Sequence, residues 1–263
     1  MNREDTLDYI KSKGILPDKN FGQNFLCDEE IIDSIISLSS ACPNQEVIEI
    51  GPGLGALTDK LLDLGARVTA DEIDKRLNEH LQSRFEGKDI NIICSDYLKL
   101  DDYNAKSYIT AISNIPYYVM TPIMMKLMSD LTSCTKMTFM VEEEAIRRID
   151  AKPGTKQYGA LAVTCAVYGK VKKEFAVPRN AFIPPPHTTS AVITLTREEG
   201  LPAPEFTVFI ERCFRERRKK IVNAFPDIKD AVLSLGIKED IRAEHITPSQ
   251  YRDIFIKYKA SML

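Results

Sequence analysis

The chain has 263 residues, 44% of them hydrophobic, which is enough to bury one full α/β core and leave a small appended unit. No stretch approaches the roughly 18 uncharged apolar residues of a membrane span, and Met1 to Ile10 is too polar for a secretory leader, so a soluble, cytoplasmic protein is expected. The net charge of -3 gives no overall attraction to phosphate, so any nucleic-acid contact has to come from local basic faces.

In chain order, the pattern predicts a short helix over about Asp5 to Lys13 and a polar loop ending in Phe21-Gly-Gln-Asn-Phe-Leu26. A helix follows, carrying Ile31, Ile32, Ile35, Ile36 and Leu38, with Asp28 as its N-cap. Strand and helix then alternate. Val47 to Ile50 is a strand, Ala56 to Leu64 a helix closed by Gly65, Arg67 to Ala70 a strand, Lys75 to Phe85 a helix and Ile90 to Cys94 a strand. Tyr108 to Ile112 and Met137 to Val141 continue as strands, with a helix over Thr121 to Met128 between them. Alternation at this spacing predicts an α/β fold, a Rossmann-like doubly wound, mostly parallel sheet. Beyond the strand Val192 to Leu195, Gly200-Leu-Pro-Ala-Pro204 reads as a linker and the remainder as short helices, which sets a domain boundary near residue 198.

Six dispersed cysteines without a C-x-x-C pair read as reduced core thiols, and three dispersed histidines supply neither a zinc site nor a nucleophilic triad. Chemistry without a metal is expected. Basic residues concentrate in two places: six between Lys152 and Phe182, and the run Arg212, Arg215, Arg217, Arg218, Lys219, Lys220. Such a run is as often a solvated face as a phosphate-binding one.

Four constellations carry chemistry. Glu49-Ile-Gly51-Pro-Gly53-Leu-Gly55 joins a strand to a helix, where glycines let backbone approach a ligand and the helix offers free N–H groups. Taken alone it also fits a structural turn or a nicotinamide site. Glu72, at the end of the next strand, is spaced to accept the ribose hydroxyls of a nucleoside cofactor, although charges in acidic clusters are commonly just solvated. Asp96, after the third strand, is able to accept from an adenine amino group or simply to cap a turn. Ser113-Asn114-Ile-Pro116-Tyr117-Tyr118 follows the fourth strand. There the Asn114 side chain and the Pro116 carbonyl can accept the two N–H groups of adenine N6, a poor nucleophile whose lone pair is delocalised, although the segment alone also fits a proline-ended strand with a buried tyrosine. Tyr117 is then available to stack on an extruded base.

With these residues the sequence resembles the ribosomal RNA adenine N6-dimethyltransferase family, and the small-subunit enzymes more closely than their macrolide-resistance relatives. The resemblance covers nearly the whole chain and also includes Gly22-Gln-Asn-Phe-Leu26, Pro153-Gly154 with Tyr158-Gly159, Phe182-Ile-Pro-Pro-Pro186 with Ser190-Ala-Val192, Arg217-Arg-Lys219 and Arg242-Ala-Glu244. It implies a class I methyltransferase domain over 1–197 and a small helical C-terminal domain over 198–263 that contacts rRNA. The implied cofactor is S-adenosylmethionine, contacted by Asn24, Leu26, Gly51, Glu72, Asp96 and Asn114. The implied catalytic residues are Asn114, Pro116 and Tyr117, and the implied RNA contacts are Phe182, Arg217, Arg218, Lys219 and Lys220. The implied reaction is dimethylation of two adjacent adenosines near the 3′ end of 16S rRNA in a pre-30S-like particle, by a monomer. Ser113, Glu143 and His187-Thr188-Thr189 depart from the family's usual glycine, lysine and Lys-Val-Asp. Three other readings remain: a large-subunit rRNA methyltransferase of the resistance type, a non-catalytic RNA or transcription factor on the same fold, and, more distantly, a nicotinamide oxidoreductase.

Overall fold

The computed structural model describes residues 3–18, 21–100, 107–198 and 205–262, so the predicted linker Gly200–Pro204 lies outside the described residues. Helix α1 (Arg3–Lys13) and the two-residue strand β1 (Phe25–Leu26) precede α2 (Glu29–Ser39), whose N-cap Asp28 accepts from the Ile31 N–H as expected. The alternating core then runs β2 (Glu46–Ile50), α3 (Ala56–Asp63), β3 (Arg67–Asp71), α4 (Lys75–Arg84) and β4 (Ile90–Ile93). It continues through β5 (Thr110–Asn114), α5 (Met120–Asp130), β6 (Lys136–Glu142), α6 (Ile146–Ile149), α7 (Ala160–Tyr168), β7 (Gly169–Val177), β8 (Phe182–Ile183) and β9 (Ser190–Arg197). Helices α8 (Glu205–Phe214), α9 (Ile221–Ala224), α10 (Lys229–Ser234) and α11 (Pro248–Ala260) complete the chain. Among the described residues no helix is long and apolar enough to cross a membrane.

Seven strands form one sheet in the order β4-β3-β2-β5-β6-β9-β7. The first five are parallel, and β9 runs antiparallel to both β6 and β7. Strand order reverses between β2 and β5, and the crevice beyond the carboxyl ends of those two strands is where a doubly wound sheet binds ligands. Ile48, Ala111, Phe139 and Ile193 fill one face of the sheet with α5 and α7, while Val47, Val68, Ile112 and Val192 fill the other with α2 and α3.

Besides the short β1, α6 and β8, the sequence reading lacks α7 and β7, and these two escape it for physical reasons. Helix α7 is apolar all round because it is buried twice: Leu161, Cys165 and Tyr168 pack on the sheet, while Ala162 and Val163 join the apolar cluster of α8 to α11. A helix covered on both sides carries no amphipathic period. Strand β7 is the sheet's edge, with Lys170, Lys172 and Lys173 exposed and a register shift between Lys173 and Phe175 that breaks its alternation. Edge lysines also discourage pairing with another chain. Strand β5 begins two residues later than expected and reaches Asn114. All six cysteines are free, but Cys42 and Cys94 are exposed, so the reading of core thiols holds for Cys27, Cys134, Cys165 and Cys213 only.

Gly169 joins α7 to β7 with no intervening loop, and a Cβ there would stand 1.9 Å from the Thr196 carbonyl oxygen. Backbone is the obstacle, so no rotamer relieves it. Gly169→Ala is expected to cost about 3 kcal/mol, lowering Tm by roughly 6–12 °C in a thermal melt. A melt that superimposes on the wild type would contradict this close approach.

Candidate functional site

An open cleft with a cavity volume of about 140 Å³ lies at the carboxyl ends of β2 to β5. Its lining joins all six residues expected to contact a cofactor, Asn24, Leu26, Gly51, Glu72, Asp96 and Asn114, together with Pro116. The floor is the turn after β2, where Gly51, Gly53 and Gly55 all have positive φ. At Gly51 a Cβ would meet only the Asn114 carbonyl oxygen, at 3.9 Å. The space beside this glycine therefore belongs to the cleft, and a side chain would fill it.

Two carboxylates sit under that turn. Glu72 is 4% exposed and accepts from the Gly53 N–H at 3.1 Å and the Asp74 N–H at 2.9 Å. Burial pushes its pKa up to about 7 against the pull of those two donors, with Asp74 and Asp71 adding to the rise. Glu49, 1% exposed, accepts from the Thr58 hydroxyl at 2.6 Å. Burial raises it to about 7 as well, the Thr58 hydrogen bond opposing and the charge of Glu72 reinforcing. Asp96 accepts from the Leu98 N–H at 3.2 Å and lies 3.3 Å from the Lys99 ammonium. Its neighbour Ser95 donates to Asp71 at 2.5 Å, fastening the ends of β3 and β4 together.

The remaining wall combines the loop after β5 with the segment before β1. Asn114 Nδ2 donates to the Asn24 carbonyl at 3.2 Å, leaving Oδ1 as an acceptor with no partner among the described residues. The Pro116 carbonyl accepts from the Val119 N–H at 3.1 Å, and a carbonyl retains a second lone pair. Asn24 Nδ2 donates to the Gly22 carbonyl, while Gln23 bridges Asp74, at 2.9 Å, and the Asp18 N–H, at 2.8 Å. Behind this segment β1 pairs with β8, Phe25 opposite Ile183 and Leu26 opposite Phe182. Tyr117 belongs to the turn Tyr117–Val119, but its side chain lies outside the described residues.

Two of the expected RNA contacts are engaged within the protein. Phe182 is 1% exposed, packed with Leu26, Ile32, Ile35 and Val192, and does not line the cleft. It is a core residue here. Arg217 is committed internally: Nε pairs with Glu244 at 2.8 Å, and its terminal nitrogens donate to the carbonyls of Lys156 at 3.0 Å and Thr155 at 3.1 Å. Its charge clamps the C-terminal helices to the loop before α7. Lys219 pairs with Glu216 at 2.5 Å and remains exposed. Arg218 and Lys220 are exposed and make no ion pair among the described residues. The sequence reading missed Glu49 and Gln23 as site residues. Glu49 lies within the quoted glycine motif, but only its burial with Thr58 distinguishes it.

The family model for ribosomal RNA adenine dimethylase matches residues 17–260. "Ribosomal RNA small subunit methyltransferase A" of Deinococcus radiodurans is 37% identical over 254 residues, covering 93% of this chain and 87% of that protein. Two solved structures share the fold. A dimethyladenosine transferase from Plasmodium falciparum has a TM-score of 0.70 at 22% identity, covering 91% of this chain and 98% of that one. The 23S rRNA methyltransferase ErmE has a TM-score of 0.62 at 24% identity, covering 90% of this chain and 100% of that one.

Proposed function

Because this chain belongs to the ribosomal RNA adenine dimethylase family, we propose that it dimethylates N6 of two adjacent adenosines near the 3′ end of small-subunit rRNA, using S-adenosylmethionine. One observation carries the reading: the glycine turn, the buried Glu72 and the acceptor pair of Asn114 and Pro116 line a single cleft. The free space beside Gly51 and the acceptors at Glu72 and Asp96 suit a nucleoside cofactor with a methionine tail, which supplies an electrophilic methyl group when bound. Glu72 would accept the ribose hydroxyls, Asp96 the adenine amino group, and Gly51 would face the methionine end, with Asn24 and Leu26 closing the wall.

Asn114 Oδ1 and the free lone pair of the Pro116 carbonyl would take the two N–H groups of the target adenine. That would bias N6 towards a tetrahedral geometry and free its lone pair to attack the methyl group that the bound cofactor would supply. The nitrogen becomes acidic only once alkylated and then loses its proton to solvent, so no general base is required. The barrier falls through positioning and fixed dipoles. Tyr117 is proposed to clamp the extruded ring.

The substrate assigned is rRNA in a pre-30S-like particle, and the protein is taken as a cytoplasmic monomer acting without a metal. Residues 198–263 are assigned as the rRNA-contacting unit. With Arg217 engaged internally, Arg218, Lys219 and Lys220 remain to meet phosphate. Arg218→Glu with Lys220→Glu is expected to weaken subunit binding and to reduce the slope of log K against log salt by about 0.7–0.9 per lost phosphate contact. Arg217→Ala should instead lower Tm and leave that slope in place. An unchanged slope in the double variant would make the basic run a solvated face.

Tritiated methyl transfer onto small subunits lacking the two dimethyladenosines, with unmodified large-subunit rRNA alongside, tests the whole reading. Labelled N6,N6-dimethyladenosine from the small subunit alone supports it. Label from the large subunit moves the protein to the resistance branch, and binding without transfer makes it a non-catalytic factor.

A further inference from the structure

One Phe or Tyr ring among the described side chains stands open to solvent: Tyr118 is 62% exposed, while the others are buried or half-buried. The ring does not sit on a remote face. It lines the cleft, in the turn that leaves Pro116. A Cβ on Gly22 would stand 3.5 Å from Tyr118 Cε1 and 3.6 Å from both its Cδ1 and Pro116 Cβ, so the tyrosine is seated against the glycine on one side. Its other surface is bare apolar area at the mouth of the cleft, where a large, flat ligand gains by covering it.

We propose that Tyr118 is a stacking platform for the nucleotide next to the target adenosine. The inference rests on the rRNA adenine reading above. Asn114 and Pro116 hold the target amine in that reading, and two residues, at most about 7 Å of chain, separate Pro116 from Tyr118. Stacked nucleotides in a strand are about 3.4 Å apart, so the neighbour of an adenosine held at Pro116 comes within reach of the ring. Extruding the target also strips that neighbour of a stacking partner, and an exposed aromatic ring replaces the lost surface. Stacking engages the face of a base and ignores its edge. The platform therefore accepts an adenine whose N6 is already methylated, as a pair of adjacent targets requires.

Tyr118→Ala and Tyr118→Phe test this, with methyl transfer to unmodified small subunits, equilibrium binding of those subunits and S-adenosylmethionine affinity measured on each. Tyr118→Ala is expected to raise the KM and Kd for subunits by about tenfold and to leave the cofactor Kd within about twofold. Tyr118→Phe should match the wild type, because the ring and not the hydroxyl stacks. Unchanged subunit affinity in the alanine variant overturns the proposal. So does a rise confined to the cofactor Kd, which assigns the ring to the adenine end beside Asp96, or a phenylalanine variant as impaired as alanine, which assigns the role to the hydroxyl. A wild type that transfers no methyl group sinks the functional reading instead, and the binding comparison still decides the role of Tyr118.

Discussion

Asn114→Ala is expected to lower kcat by on the order of 10²–10³-fold, the usual cost of deleting one preorganised polar group from a reacting centre. The Oδ1 acceptor is the group being removed, and its effect lies in the transition state, where N6 must leave the plane of the ring. Cofactor affinity should move by only about a few-fold, through loss of the neutral Nδ2 bond to the Asn24 carbonyl. Single-turnover rates measured with saturating cofactor separate the two contributions. Asn114→Asp keeps an acceptor but sets a carboxylate oxygen against that same carbonyl, so it should lose more cofactor affinity than alanine and retain more of the chemical step. A wild-type kcat in Asn114→Ala would remove this residue from the mechanism.

Glu72→Ala should raise the Kd for S-adenosylmethionine by on the order of 10²-fold or more, since two hydrogen bonds to a charged acceptor are lost from a buried site. Glu72→Gln should fall between alanine and wild type. The wild-type affinity should also depend on pH. Burial lifts the Glu72 pKa from 4.5 to about 7, and the ribose hydroxyls need the ionised form as acceptor. The Kd is therefore expected to rise by up to about tenfold per unit as pH falls below about 7, a dependence that Glu72→Gln abolishes. Stability of the cofactor-free protein should run the other way. With folded pKa values raised above the unfolded 4.5, Glu72 and Glu49 keep protons in the folded state that the unfolded chain has lost. Their contribution is present in full at acid pH and is lost as pH rises through about 7. A cofactor Kd that stays flat between pH 6 and pH 8 would contradict this coupling of Glu72 ionisation to ribose binding.

The parallel half of the sheet is legible because each strand is a short apolar run set off by a glycine or an acidic turn, with an amphipathic helix to follow. The glycine turn, Glu72, Asp96 and Asn114 are legible for the same reason: each ends a successive strand, so chain order alone puts them along one edge. Contacts between distant segments leave no such trace. Thr58 finds Glu49 and Gln23 finds Asp74 only in the folded chain. An arginine in a basic run reads the same whether it meets water or, like Arg217, two carbonyls and Glu244. Phe182 sits in a segment whose sequence resembles a substrate contact, yet its environment is set by β1 from the other end of the chain.

That last pairing orders events during synthesis. The wall formed by residues 21–26 is backed by residues 181–183, and the Cys27 N–H bonds the Ala181 carbonyl 154 residues further along. A nascent chain that has released β2 to β6 already owns the glycine turn, Glu72, Asp96 and Asn114. It still lacks the backing that holds Asn24 and Leu26 in place. At about 5–20 residues per second, about 8–30 seconds pass between the emergence of the first half of that wall and of its support. Ribosome-bound fragments ending before residue 180 should therefore have the sheet's parallel core and only weak grip on the cofactor, and an enzyme that modifies ribosomes gains its own site late in its passage through one.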